Sequence, residues 1–465
     1  MVRQCESAHC SGADSEINEI CKLEGWPINH PVLTRDSIGP CYCSCSCLAF
    51  GTMVEDGSGG FKAIETYAVG DQIMASGTGL DWAPQPVVFS GGTTGASRQK
   101  FTVLVLYGET ALAVTSDHLF LLAGDEHTLK RADRLTPDDV LVSPAGDPVS
   151  VRAVHIGDYL AGFHHVAAAG KEPPGEDLDK HLLNTNGVVS ADYVVQIMAR
   201  RSDVAGFNVK QHDDMPVVGS QEYVDRFGRA CLQAPELPAA ATGEASNIRA
   251  SNYNAKDLDL AEHTFVPAEA TLVSVPEDAC SFLSPEEAEA KRRSPKRAFN
   301  DPLAREWTEA LIQQHKVFYP DVTYHLDWAS DEVNAYAWVE NGVRHVALKG
   351  GLVRDQDLEL EGIALVLAHE LAHHYGGTPT FPGGLSCEGQ ADYRGVRNIM
   401  RKVWFGDAFI QTTDAAIAQM ANFFGVPNDP HPPGGTAGCG HPPGACRVAT
   451  YHAAVALSGK PACAA

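Results

Sequence analysis

His369-Glu370-Leu371-Ala372-His373, followed by Glu388-Gly389-Gln390-Ala391-Asp392, decides how the C-terminal part of this chain is read. On an α-helix His369 and His373 stand at i and i+4, so both imidazoles can reach one metal ion. Glu370 falls beside them, where a carboxylate can take a proton from an attacking water. A catalytic zinc needs a third protein ligand and one open position. Glu388 suits the first need, because a loop lets it fold back onto the helix. Leu358, Ile363, Val366, Leu367 and Leu371 supply an apolar face, and Gly376-Gly377 stops the helix. Residues 378–384 make a turn. Ser386 offers an N-cap to a second helix expected to run to about Trp404. Glu388 and Asp392 lie one turn apart on it, so Asp392 can hydrogen-bond a ligating histidine from behind. HExxH also occurs by chance on surface helices, but the second helix with its carboxylate pair argues against chance here.

These residues resemble the gluzincin metallopeptidases typified by the CAAX prenyl protease and the HtpX peptidase. The resemblance covers about residues 300–465 and includes a later block, His441-Pro442-Pro443-Gly444-Ala445-Cys446-Arg447. It implies an α+β zincin-like domain with one catalytic Zn2+ held by His369, His373 and Glu388. Glu370 would be the general base, with Asp392, His441 and Arg447 lining the site or supporting its ligands. Asn334-Ala335-Tyr336-Ala337 and the Asn341-Gly342 turn read as a hairpin. In this family such an edge strand lies beside the metal and can receive substrate as an added strand. Many members are membrane-embedded. No apolar run here approaches the ~20 residues a span requires, so no transmembrane segment is expected.

Thirty-five basic against 59 acidic residues give a net charge of −24 over 465 residues. Nucleic acid and anionic membrane surfaces are therefore poor partners. The length allows two or three domains. The N-terminus shows no apolar signal region, which fits a soluble chain that is cytoplasmic or exported by a non-standard route. Of 13 cysteines, Cys5, Cys10, Cys21, Cys41, Cys43, Cys45 and Cys47 fall at the N-terminal end. They could hold a soft metal together with His9, or form an oxidisable tail, and the tail is the favoured reading of residues 1–46.

An internal repeat follows. Phe61-Lys62-Ala63-Ile64-Glu65 through Gly70-Asp71-Gln72-Ile73-Met74 recurs as Leu129-Lys130-Arg131-Ala132-Asp133 through Asp138-Asp139-Val140-Leu141-Val142. One tandem copy predicts a pseudo-two-fold unit rather than a solenoid. Short β-rich runs at 101–106, 111–114, 119–122 and 187–195 predict an all-β domain. This segment resembles the Hint domain of inteins and hedgehog proteins. The matching blocks are Cys47-Leu48-Ala49-Phe50-Gly51-Thr52-Met53-Val54, Thr115-Ser116-Asp117-His118 and Asn186-Gly187-Val188-Val189-Ser190-Ala191-Asp192-Tyr193, over residues 47–197. The resemblance implies attack of the Cys47 thiol on the Ser46 carbonyl to give a thioester. Thr115 and His118 would orient the scissile amide and protonate its nitrogen.

Two departures narrow that activity. Splicing inteins close with His-Asn followed by Cys, Ser or Thr; those positions read Ser190-Ala191-Asp192 here, so asparagine cyclisation and ligation are not available. Phe89-Ser90-Gly91-Gly92 lacks the aspartate of hedgehog domains, which speaks against sterol transfer. A thioester resolved by water or a small nucleophile would release residues 1–46; a domain that folds but does not cleave is the other reading.

Residues 198–299 read as linker and irregular chain, with a strand expected near Ala270–Val275. Asp301 and Pro302 then open a helix as N-cap and first turn, with Leu303, Trp307, Leu311 and Ile312 on its buried side. The expected whole is multidomain: a soluble zinc endopeptidase acting on protein or peptide, behind an autoprocessing domain. The alternative is an autoprocessing factor whose zinc site is structural or chaperone-like, closed by a fourth ligand such as Cys387 or His374. Among Cys439, Cys446 and Cys463, one pair could form a disulfide that fixes Arg447 near the metal.

Overall fold

A computed structural model describes residues 47–92, 98–124, 127–168, 175–199, 215–228 and 265–465, and the backbone of short strands at 3–4, 32–35 and 40–43. Ser46 and the side chains of the cysteine-rich segment, including Cys5, His9 and Cys10, lie outside the described residues. The chain divides into two compact units, Met1–Ala270 and Thr271–Ala465.

Among its described residues the first unit is β-strand apart from short helices and turns. The long strand Gln99–Tyr107 pairs antiparallel with Thr110–Thr115 on one side and Pro148–Tyr159 on the other. The two repeats fold alike. Phe61–Ala63 and Leu129–Arg131 are strands, each running into a single 3-10 turn, Ile64–Thr66 and Ala132–Arg134. Each repeat closes with the same ion pair, Lys62–Asp71 at 2.6 Å and Lys130–Asp139 at 2.7 Å. The short strand Leu48–Ala49 pairs Leu48 with Val114 on one side and with His164 on the other. Strand alternation then sets Cys47 between Thr115 and His165.

The run expected as a strand at 187–195 divides in two. Val188–Ala191 is a strand, and Tyr193–Ala199 is a helix. Asp192 causes the switch: its Oδ1 accepts from the Val195 amide, as an N-cap does.

The stretch read as linker is shared between the units. Tyr223 of the helix Gln221–Phe227 donates to the Leu135 carbonyl, and the strand Phe265–Pro267 pairs with Gly157–Tyr159. Residues 280–283 instead join the second unit. Near Ala270–Val275 the chain makes a 3-10 turn, Ala268–Thr271, and the strand lies just before it.

The second unit packs helices against a four-stranded sheet ordered Cys280–Ser281, Ala335–Glu340, Val343–Lys349, Val322–Asp327. Asn341 and Gly342 turn the central hairpin with φ of 51° and 80°, the left-handed pair an Asn-Gly hairpin uses. Asp301 caps the helix Pro302–Phe318 by accepting from the Leu303 and Ala304 amides. The HExxH helix, Leu360–Tyr375, is buried continuously from Gly362 to His373, as a helix through the core must be.

The second helix starts at Glu388, with Cys387 rather than Ser386 in the capping position; the Ser386 hydroxyl donates to the Gly377 carbonyl instead. It is α-helical to Arg394 and π-helical over Gly395–Met400 before a last turn, Arg401–Val403. At Gly395 a Cβ would sit 3.1 Å from the Ala368 carbonyl and the His369 nitrogen. Glycine there lets the second helix lie close against the HExxH helix.

Candidate metal centre and self-processing site

The packed helix pair brings His369, Glu370, His373, Glu388 and Asp392 together in the core, each 1 % exposed or less. His369 Nδ1 lies 2.8 Å from Asp392 Oδ1, and His373 Nδ1 lies 2.7 Å from the Ser386 carbonyl. A carbonyl only accepts, and the carboxylate is ionised, so both Nδ1 atoms carry the proton. In the neutral rings, the form that binds a metal, both Nε2 atoms then present lone pairs. These point at each other across 3.1 Å and at Glu388 Oε2 across 3.2 Å and 3.6 Å. Three electron-rich atoms at such distances repel unless a proton or a metal ion lies between them. With bonds of about 2.0–2.1 Å to tetrahedral zinc, the ligand–ligand edge is ~3.3–3.4 Å. The donor set fits zinc in kind and spacing.

Glu370 is different. Both carboxylate oxygens are buried with no hydrogen-bond partner among the described residues, and burial pushes its pKa up to about 7 against the pull of His369 and His373. A carboxyl that titrates near neutrality suits proton transfer. Burial also raises the Glu388 and Asp392 carboxyls, but the hydrogen-bonded groups beside them outweigh it. His373 and His369 hold Glu388 well below its usual range, and Arg447 and His369 bring Asp392 down to about 2.

Arg447, on the helix Gly444–Val455, donates through Nε and Nη2 to Asp392 at 2.8–3.2 Å, and the Tyr451 hydroxyl donates to the same carboxylate at 3.0 Å. His441 Nε2 lies 3.8 Å from Glu388 Oε2 and donates to the Ser281 carbonyl at 2.7 Å. Neither suggested fourth ligand is in place. Cys387 is in a disulfide with Cys439, and His374 Nε2 donates to the His345 carbonyl. Cys280 lies nearby: its sulfur, a His373 nitrogen and a Glu388 oxygen all lie within 4.8 Å of one another, a group that does not include His369. Cys446 pairs with Cys463, one residue before Arg447.

The Cys387–Cys439 bridge, which spans 52 residues, ties down the start of the Glu388 helix. Reduction is expected to cost on the order of 4 kcal/mol and to weaken zinc binding. Melting and zinc competition with and without reductant measure both effects.

In the first unit the buried Cys47 amide donates to Thr115 Oγ1 at 2.9 Å, and the Thr115 amide returns a bond to the Cys47 carbonyl at 3.0 Å. That Cys47 nitrogen is the one in the expected scissile bond. Cys47 Sγ lies 2.8 Å from His165 Nδ1, on the strand Phe163–Ala167, and the His165 ring stacks on Tyr193 at 3.9 Å. Gln196 Nε2 donates to the Ala191 carbonyl at 2.9 Å, which fixes the direction of its amide, and donates also to His118 Nδ1 at 2.8 Å. His118 therefore keeps its proton on Nε2, which is buried without a partner among the described residues. Burial lowers its pKa to about 4. His165 and Gln196 were not singled out in the sequence, where His165 follows His164 in a largely apolar run and Gln196 stands alone in one.

Residues 301–381, which include the HExxH helix, match the family Peptidase family M48. Solved structures similar to the chain include a bacterial intein-like domain from Clostridium thermocellum, with 20% identity over 32% of this chain and 100% of that chain, TM-score 0.26. The gp41-1 intein is 15% identical over 32% of this chain and 100% of its own, TM-score 0.25. A DnaB intein from Synechocystis is 14% identical over 32% and 98%, TM-score 0.25. No curated protein matches the chain. The regular structure among the described residues of the first unit is mainly β-strand, and the second unit contains a region similar to the M48 peptidases. Among the described residues no helix is long and apolar enough to cross a membrane.

Proposed function

We propose that the second unit is a zinc-dependent endopeptidase, and that the first cleaves the chain before Cys47 through a thioester without splicing. The observation that carries the first part is the convergence of His369 Nε2, His373 Nε2 and Glu388 Oε2 at tetrahedral spacing beside the unpartnered Glu370. Zinc bound there would polarise the scissile carbonyl and the attacking water. Glu370 takes the proton from that water and passes it to the leaving amine. Asp392 and the Ser386 carbonyl hold the two imidazoles with their Nε2 lone pairs inward. The strand Ala335–Glu340, now paired with Cys280–Ser281 at Ala337 and Tyr336, would give an extended peptide a partner where that edge is free. Cleavage of an unfolded protein should vanish on chelation and return with zinc; activity that survives complete zinc removal would refute the reading.

At Cys47, His165 accepts the thiol proton as sulfur attacks the Ser46 carbonyl. The C–S bond forms, the C–N bond breaks, and the proton taken by His165 passes to the Cys47 nitrogen, with Thr115 and His118 orienting that amide. Water then hydrolyses the thioester and frees residues 1–46. Intact mass should show loss of this segment, faster with added thiol, and none in Cys47→Ala. Equal cleavage in that variant would rule the thioester out. The two disulfides of the second unit fit an oxidising compartment. Cys280 beside the ligands favours a second reading, a closed site, which the following inference makes specific.

A further inference from the structure

We infer that Cys280 is a fourth ligand that closes the zinc centre, and that residues 280–283 occupy the substrate's place as a built-in inhibitory strand. The inference rests on the zinc reading above. Its first support is the grouping of the Cys280 sulfur with His373 and Glu388. Cys280 is buried and is not in a disulfide. A thiol beside zinc loses its proton to solvent and binds as thiolate, a stronger ligand than water.

The second support is independent of the sulfur. Cys280–Ser281 adds antiparallel to Ala335–Glu340, with Cys280 opposite Ala337 and Ser281 opposite Tyr336. The Phe282 amide donates to the Ala335 carbonyl at 3.0 Å, and the Asn334 side chain grips Leu283 at both its amide and its carbonyl. His441 donates to the Ser281 carbonyl, and Arg447 Nη1 donates to the Phe282 carbonyl at 2.6 Å. Phe282 is 0 % exposed and sets its ring at right angles to His369, 5.2 Å between centroids. The groups an extended peptide would use to reach the metal centre are thus already engaged by the chain itself. Withdrawal of this strand would free the edge of Ala335–Glu340, the donors on His441 and Arg447, and the fourth coordination position in one movement.

The test uses the full-length chain, chelated and reloaded with cobalt(II). Wild type should show the near-ultraviolet sulfur-to-cobalt charge-transfer band, and Cys280→Ser should lose it while keeping the visible bands of a tetrahedral ion. In wild-type protein, alkylation at Cys280, read by peptide mapping, should proceed only after chelation. With zinc restored, Cys280→Ser and Cys280→Ala should cleave an unfolded substrate about tenfold faster or more, because activity follows the fraction of open sites. Cobalt bound with identical spectra in wild type and Cys280→Ser, or alkylation indifferent to chelation, would overturn the inference and leave the zinc reading standing. A sulfur band without any activity gained on substitution would overturn the inhibitory role and make the centre structural. Failure of both proteins to bind the metal would sink the zinc reading itself.

Discussion

Glu370→Gln is expected to lower kcat/KM on an unfolded protein substrate by on the order of 10²- to 10⁴-fold while leaving zinc bound. The amide has nearly the volume of the carboxyl, so the helix and the neighbouring ligands should stay in place. It cannot accept the proton of the attacking water. Glu370 touches none of the three ligand atoms through a hydrogen bond, and its oxygens have no partner among the described residues, so little but proton transfer is removed. The comparison is best made in a Cys280→Ser background, where the strand at 280–283 restrains activity less. Zinc content is measured alongside. Undiminished cleavage would show that Glu370 is not the base, and loss of zinc would show that it holds the site together instead.

The second large effect is structural. Arg447 is 1 % exposed and places its guanidinium against Asp392, which in turn orients His369. Arg447→Ala leaves a carboxylate buried without its cation, at a cost of about 3–5 kcal/mol. For a unit of this size the melting temperature should fall by roughly 10 °C. Zinc affinity should fall ~10- to 100-fold, the usual effect of losing a group that supports a ligand. Melting and zinc competition would check both. A loss under about 1 kcal/mol would mean that Asp392 is not held ionised by Arg447.

These effects concern residues that could be singled out in the sequence, and the reason is local. His369, Glu370 and His373 share one helical turn, and Glu388 and Asp392 share another, so spacing alone gives their faces. The Asn341-Gly342 turn and the Asp301-Pro302 helix start are equally local, with Asp301 capping the helix that Pro302 begins. The repeat was legible because both copies keep the lysine and aspartate that form the matching ion pairs.

What could not be read depends on distant pairing. Cys280 reaches His373 and Glu388 only because residues 280–281 add to a sheet edge, in a stretch whose composition resembles a linker. His165 meets Cys47 because Leu48 pairs with His164, a register no local pattern announces. Cys387 and Cys439 bond across 52 residues, and thirteen cysteines admit too many pairings for spacing to choose among them. The π-helical stretch Gly395–Met400 has no local signature, although Gly395 within it permits close approach to the HExxH helix.

The most direct measurement is zinc content per chain, after chelation and reloading, in wild type and in the His369→Ala/His373→Ala double variant. The N-terminal cysteines could take up metal in both, so the difference decides. One zinc fewer per chain in the double variant is the predicted result. Equal zinc in the two proteins would contradict the assignment of the metal to His369, His373 and Glu388.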